Sequence, residues 1–253
     1  MRHLTIQDLH MHFSGVKALD GISFDVKKGE IFSLIGPNGS GKSTLFNCIN
    51  GFCRPQQGFI NYNGNEVTAI KPHDVVQIGI SRTFQNLQNI PYMTLLDNIL
   101  LGAHHRLTSH DTIKRWTSRK EREREESLAL EVMDLLGIAN FEKKYLIGQP
   151  YGIQKLVEIA RALICQPSLI LMDEPAAGMN DQETLEIGKI ISDIRDQLGV
   201  TVLVVEHDMN LVMSISDRIC VLDSGKIIAM GKPEEIKDHP EVIKVYLGDE
   251  AHA

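Results

Sequence analysis

Three short and almost unbroken apolar runs stand out along the chain: Ile31–Ile35, Leu169–Met172 and Val200–Val205. Runs of this length, rich in Ile, Leu and Val, are the pattern of strands buried on both faces. Around them the period changes. Ile22, Phe24 and Val26 alternate with Ser23, Asp25 and Lys27, as in a strand with one wet face, and Lys28-Gly29-Glu30 turns the chain into Ile31–Ile35. Leu45, Phe46, Cys48 and Ile49 lie on one side of a helix that follows a glycine-rich loop, and Asn63-Gly64 marks a hairpin within residues 58–70. From about Leu95 to Ile164 the spacing is helical with few strand signals, and Leu128, Val132, Leu135 and Leu136 form an apolar stripe. Strand–helix alternation then returns, with Ile187, Ile190, Ile191 and Ile194 on one helix face. The pattern predicts an α/β fold built on a parallel sheet with helices on both sides, and no internal repeat is visible.

Charge and composition narrow the picture. Lys114 to Glu126 is a run of mixed sign, read as a solvated helix with Glu/Arg pairs three or four residues apart; a docking surface is the alternative. No apolar stretch approaches the roughly 18 residues that span a bilayer, and Met1–Asp8 lacks the features of a signal peptide. The 253 residues fit one or two domains. With 33 acidic and 26 basic side chains the net charge is −7, which argues against a protein that coats nucleic acid. The four cysteines, Cys48, Cys53, Cys165 and Cys220, are scattered without a Cys-x-x-Cys pair, as expected of reduced thiols in a cytosolic protein.

The candidate chemistry lies at the ends of the three apolar runs. Gly36-Pro37-Asn38-Gly39-Ser40-Gly41-Lys42-Ser43-Thr44 fits G-x-x-x-x-G-K-[ST] between a buried strand and a helix. There glycines let backbone N–H groups curl around phosphate oxygens, Lys42 reaches the β- and γ-phosphates, and the Ser43 hydroxyl binds Mg²⁺. The run ending in Met172 delivers Asp173 and Glu174, the first suited to the Mg²⁺ shell and the second to polarising an attacking water as general base; a helix start before Pro175 is the plainer alternative. The run ending in Val205 delivers Glu206-His207-Asp208 to the same edge as Asp173, where His207 is read as a γ-phosphate sensor; a structural histidine is the plainer alternative.

In this order and spacing the elements resemble the ATP-binding subunit of ABC transporters over nearly the whole chain. The resemblance implies that Phe13 stacks on adenine, against the alternative of a core aromatic, and that Gln85, in Arg82-Thr83-Phe84-Gln85-Asn86, touches Mg²⁺ and water and links to the membrane subunits. It aligns Gln149-Pro150-Tyr151-Gly152-Ile153-Gln154 with the family's LSGGQ loop. Gly152 is kept, Pro150 replaces the serine and Ile153 the glutamine, leaving backbone N–H groups at Tyr151–Ile153 to meet the γ-phosphate of ATP held by the opposite subunit. Asn180 stands where many members carry aspartate. Pro175-Ala176-Ala177-Gly178-Met179-Asn180, Val205-Glu206-His207-Asp208-Met209 and the tail from Gly231 to Gly248 are similar to the branch serving branched-chain amino-acid importers, with relatives serving urea and short amides.

The implied architecture is a single cassette over 1–253. A P-loop NTPase core of ABC type, a mostly parallel sheet flanked by helices plus an antiparallel β subdomain, spans 1–88 and 165–253, with an all-helical subdomain inserted at 89–164. The implied function is ATP binding and hydrolysis for an importer, with branched-chain amino acids as cargo. An ATPase for urea, short amides or an exported lipid or polysaccharide is the alternative, and a soluble ATPase of DNA repair or translation is disfavoured by the single acidic cassette. ATP and Mg²⁺ are the implied cofactors. The implied partners are two transmembrane permease subunits, a second ATP-binding subunit (identical or a paralogue) and, indirectly, a periplasmic or extracellular solute-binding protein, with no nucleic acid. The chain would lie peripherally on the cytoplasmic face of the cell membrane, with Asn86–Leu101 carrying motion to the permease.

Overall fold

Two sheets form from two kinds of strand. The computed structural model describes residues 2–83, 89–103 and 119–250. Amphipathic strands β1 (Arg2–Phe13), β2 (Val16–Lys27), β4 (Gln57–Tyr62) and β5 (Asn65–Glu66) make an antiparallel sheet in the order β2-β1-β4-β5. Strands β3 (Ile31–Ile35), β6 (Ile80–Arg82), β7 (Leu169–Asp173), β8 (Thr201–Val205), β9 (Arg218–Asp223) and β10 (Lys226–Gly231) make the second, in the order β10-β9-β3-β8-β7-β6. Its pairings are parallel except for β10, which runs antiparallel along one edge.

The unbroken apolar runs are explained by packing on both faces. Alternate residues of β3, β7 and β8 enter different cores. Ile31, Ile170, Met172, Val202 and Val204 join one, which includes buried side chains of helices α2 (Leu95–Leu100), α3 (Arg119–Leu135), α4 (Tyr151–Leu163) and α5 (Asp181–Leu198). Phe32, Leu34, Leu169, Leu171, Leu203 and Val205 join the other, which is closed by α1 (Lys42–Ile49) and the antiparallel sheet. Ile35, Ile219 and Val221 pack in a third cluster with α6 (Met209–Ile215), α7 (Pro233–Lys237) and α8 (Pro240–Glu250).

The hairpin at Asn63-Gly64 forms as the sequence predicts, with both residues in the left-handed region (φ 50° and 84°) that such a two-residue turn requires. The described part of the charge run, Arg119–Glu126, lies on α3 with Arg119 Nε 2.9 Å from Glu123 Oε1; residues 114–118 fall outside the described residues. Ala129, Val132 and Met133 are buried on α3, while Leu128 and Leu135 pack at its margin. The cysteines form no disulfide, and burial pushes the Cys48 and Cys220 thiols up to about 12.

The sequence reading assigned no strand to residues 2–13, 80–82 or 218–231. In β1 the reason is a bulge: Leu4 and Ile6 are buried in one phase and Leu9 and Met11 in the other, with the register shifting around Asp8, whose φ is 48°. The extra residue breaks the two-residue period that marks a strand.

Arg218 joins the two sheets. Its Nη1 lies 3.1 Å from Glu30 Oε1 and donates to Asp25 O at 3.1 Å, while the guanidinium sits 5.3 Å from the Phe32 ring centroid. Glu30 is 5% exposed, so removing its cation strands a buried carboxylate. Arg218→Ala is expected to lower stability by about 3 kcal/mol in urea titration. Adding Glu30→Gln, which removes the stranded charge, is expected to restore part of the loss.

Candidate nucleotide site

The loop between β3 and α1 is shaped by close backbone approach. Gly36 has φ 147°, and a Cβ there would lie 2.0 Å from Leu222 O. Gly41, at φ 109°, caps α1, and a Cβ would lie 2.4 Å from Ala18 O. The loop is therefore wedged between the ends of β9 and β2, where any side chain would push it out. Gly225 N donates to Ser40 O at 3.0 Å and Asp20 N to Gly225 O at 2.8 Å, closing the wedge. Within it the Lys42 ammonium donates to Gly36 O at 2.7 Å and Pro37 O at 2.9 Å. Burial lowers the Lys42 pKa, and the carboxylates of Glu174 and Asp173 oppose that shift. Ser43 is exposed and Thr44 half-buried in the first turn of α1.

The register of the sheet brings the acidic pair to this loop. Asp173 pairs with Val205 across β7–β8, and Val205 with Leu34 across β8–β3, so the residues that follow each strand leave the sheet at one edge. Asp173 is 5% exposed, and its Oδ2 accepts from Arg82 Nη2 at 2.7 Å. The same guanidinium donates to Asn47 Oδ1 on α1 at 2.8 Å and lies 5.5 Å from the Phe46 ring centroid. Sequence reasoning gave Arg82 no role, since an arginine ending a three-residue strand carries no signal of its own. Hydroxyl and carboxylate oxygens from Ser43 and Asp173 are the donor chemistry a hard cation such as Mg²⁺ requires, and the Arg82 contact leaves Asp173 Oδ1 available to one.

Glu174 has φ 47°, a conformation that costs a side-chain-bearing residue about 1–2 kcal/mol. Its N–H donates to Val205 O at 2.9 Å, and its carbonyl accepts from Ala177 N at 3.2 Å. The chain turns here instead of starting a helix; α5 begins only at Asp181, behind a capping box formed by Asn180 and Glu183. The Glu206 carboxylate, wholly buried, accepts from Ala176 N at 2.8 Å and from His207 N at 3.1 Å. The His207 side chain is 65% exposed. Glu206 is a second residue whose contacts sequence reasoning missed: a charge inside an apolar run's end signals burial, but not which backbone groups satisfy it.

Phe13 closes β1 opposite Val16 and is 45% exposed, so it is not a core aromatic. Tyr151 to Gln154 form the first turn of α4 with Pro150 at the cap (φ −52°, ψ 150°), whose side chain makes no capping hydrogen bond. The Tyr151 ring lies 3.6 Å from the point a Cβ on Gly178 would occupy, and Glu183 Oε1 3.5 Å from that on Gly152, so this turn faces the segment that follows Glu174. The structure thus brings together Lys42, Asp173 and Glu174, with His207 tied in through Glu206. Gln85 lies outside the described residues.

Comparison with known proteins agrees with this geometry. The family model described as ABC transporter matches residues 19–177, and one described as branched-chain amino acid ATP-binding cassette transporter matches residues 226–252. The high-affinity branched-chain amino acid transport ATP-binding protein BraF of Pseudomonas aeruginosa is 40% identical over 97% of this chain and 98% of its own. LivG of Escherichia coli, described likewise, is 36% identical over 97% and 98%. Among solved structures, the ATP-binding cassette MJ1267 in its ADP conformation superposes with a TM-score of 0.87 at 32% identity, covering 98% of this chain and 99% of that one. A nucleotide-free ATP-binding cassette from an ABC transporter gives 0.85 at 33% identity, over 97% and 99%. A glycine cradle around a buried lysine, two carboxylates beside it, and full-length likeness to such cassettes lead to one conclusion: this chain belongs to the ABC transporter family, as one of its ATP-hydrolysing cassettes.

Proposed function

We propose that the chain is the ATP-hydrolysing subunit of an importer for branched-chain amino acids, and that Lys42, Asp173 and Glu174 are the centre of its chemistry. The carrying observation is the buried Lys42 ammonium, held by the loop carbonyls of Gly36 and Pro37 and facing both carboxylates. The cargo reading is supported by full-length identity to BraF and LivG and by the matched segment 226–252. Residues 89–164 are read as the helical subdomain and the rest as the core.

In this reading Gly36–Thr44 offers backbone N–H groups and the Lys42 ammonium to the ATP phosphates. Phe13, exposed at the end of β1, offers a ring face to adenine. Ser43, Asp173 and Gln85 would hold Mg²⁺, which when bound neutralises charge on the β- and γ-phosphates. Glu174 takes a proton from the attacking water, His207 contacts the γ-phosphate, and Tyr151 to Gln154 meet ATP on a second cassette, with the backbone N–H groups of Tyr151 to Ile153 as donors. Two such cassettes close around shared nucleotide because ATP favours the closed pair, and hydrolysis lets them reopen. No helix among the described residues is long and apolar enough to cross a membrane. By likeness to the transport ATP-binding proteins BraF and LivG, the pore is read as belonging to separate permease subunits, with this chain on their cytoplasmic side. The exposed Ile90 and Tyr92, ahead of α2, are read as part of that docking face.

Two substitutions test the chemistry. Glu174→Gln is expected to bind ATP as the parent does and to hydrolyse it about 10²–10⁴-fold more slowly in a phosphate-release assay; turnover at the parent rate rejects the base assignment. Lys42→Ala is expected to weaken nucleotide binding about 10–100-fold in calorimetry, the loss of charge-assisted hydrogen bonds; unchanged affinity rejects the loop assignment. The cargo is tested by reconstituting the complete transporter and asking which binding-protein ligand stimulates ATP hydrolysis. Stimulation by leucine, isoleucine or valine is the expected outcome, and stimulation by urea or a short amide instead overturns the reading.

A further inference from the structure

One fully buried carboxylate has no part in the mechanism above, yet it touches both loops that the mechanism needs. Glu206 follows β8 directly, with its side chain wholly buried. Its Oε1 accepts from Ala176 N at 2.8 Å and its Oε2 from His207 N at 3.1 Å. Burial raises its pKa, while the amides of Ala176, His207 and Asp208 favour the charged form.

These contacts fall beside the strained residue of the site. Glu174 sits at φ 47°, a conformation that persists only where its surroundings over-determine it. The surroundings here are two adjacent residues of one strand end. Val205 O accepts from Glu174 N at 2.9 Å, and Glu206 accepts from the amide two residues later. Residues 174–176 are thus gripped at both ends by 205–206, and the same carboxylate fixes the backbone from which His207 projects. A carboxylate accepts with both oxygens, whereas an amide in its place turns an NH₂ group toward one of the two N–H donors.

We propose that Glu206 is a positioning residue for hydrolysis: by pinning the amides of Ala176 and His207 it aims the Glu174 and His207 side chains at the reacting phosphate together. The inference rests on the reading of Glu174 as base and His207 as phosphate contact. It makes the two loops one mechanical unit, joined by the Glu206 side chain beside the backbone bond from Glu174 N to Val205 O.

The test uses the full chain and its Glu206→Gln and Glu206→Ala variants, with steady-state ATP hydrolysis and calorimetric ADP affinity as paired readouts. Gln keeps one acceptor and Ala none, so kcat is expected to fall about tenfold for Gln and further for Ala. ADP affinity is expected to stay within about twofold, because Glu206 bonds to the amides of Ala176 and His207 and leaves the Gly36–Thr44 loop to its own bonds with Lys42 and Gly225. A role in stability alone lowers the melting temperature but leaves kcat at the parent value below melting, and that outcome overturns the inference. Should Glu206→Ala fail to fold, the isosteric Glu206→Gln decides. Adding Glu206→Gln to Glu174→Gln is expected to cost less than it does in the parent, the remainder being the part that acts through His207; fully additive losses overturn the inference. Glu174→Gln at the parent rate would instead reject the base assignment itself, whereas a slow Glu174→Gln beside a fully active Glu206→Gln rejects this inference alone.

Discussion

The site depends first on register between parallel strands. Leu34, Val205 and Asp173 lie side by side across β3, β8 and β7. Because the three strands point the same way and end at the same level, Gly36, Glu206 and Glu174 emerge together from one edge of the sheet. A slip of one residue in any pairing would turn that strand's inward set to the opposite face and carry its terminal residue away from the others. Two cores, one on each face, hold the register, since Met172 and Leu171 must each enter a different one. The hydrophobic packing of the sheet is therefore also the alignment of its chemistry.

Much of this was legible in the sequence, and the limits have physical causes. Strands β3, β7 and β8 announce themselves because burial on both faces leaves no polar phase to confuse the reading. The Gly36–Thr44 loop is legible because close approach to Leu222 O and Ala18 O permits only glycine at 36 and 41. Strand β1 is hidden by its bulge at Asp8, and β6 is too short to carry a period. The roles of Arg82 and Glu206 were not legible, because each is defined by a partner more than 25 residues away: Asp173 for one, Ala176 for the other. Long-range hydrogen-bond partners leave no periodic trace in a sequence.

Strain and polar satisfaction are coupled at the same edge. Glu174 is held in a left-handed conformation, the Glu206 carboxyl is buried at the end of an apolar run, and Asp173 is nearly buried. Each would be unfavourable alone. Together they are mutually supporting. The backbone turn at Glu174 frees the amide of Ala176 to serve Glu206, and Arg82 serves Asp173 while tying it to Asn47 on the helix that carries Lys42. The turn after Asp173 thus does for this chain what a helix start would not: it keeps the second carboxylate within electrostatic reach of Lys42.

Local charge, and not the net charge of −7, decides what the site accepts. Asp173 and Glu174 face the loop that is to receive a polyphosphate, and at short range in a partly buried site their repulsion of phosphate is strong. Lys42 and Arg82 contribute one positive charge each and so offset only the two carboxylates. In the proposed reading the negative charge of the phosphates is then left to the backbone N–H groups of the loop, the positive end of α1, and a divalent cation. A narrow glycine loop paired with two carboxylates thus favours, in the same reading, a polyphosphate that arrives with a divalent cation.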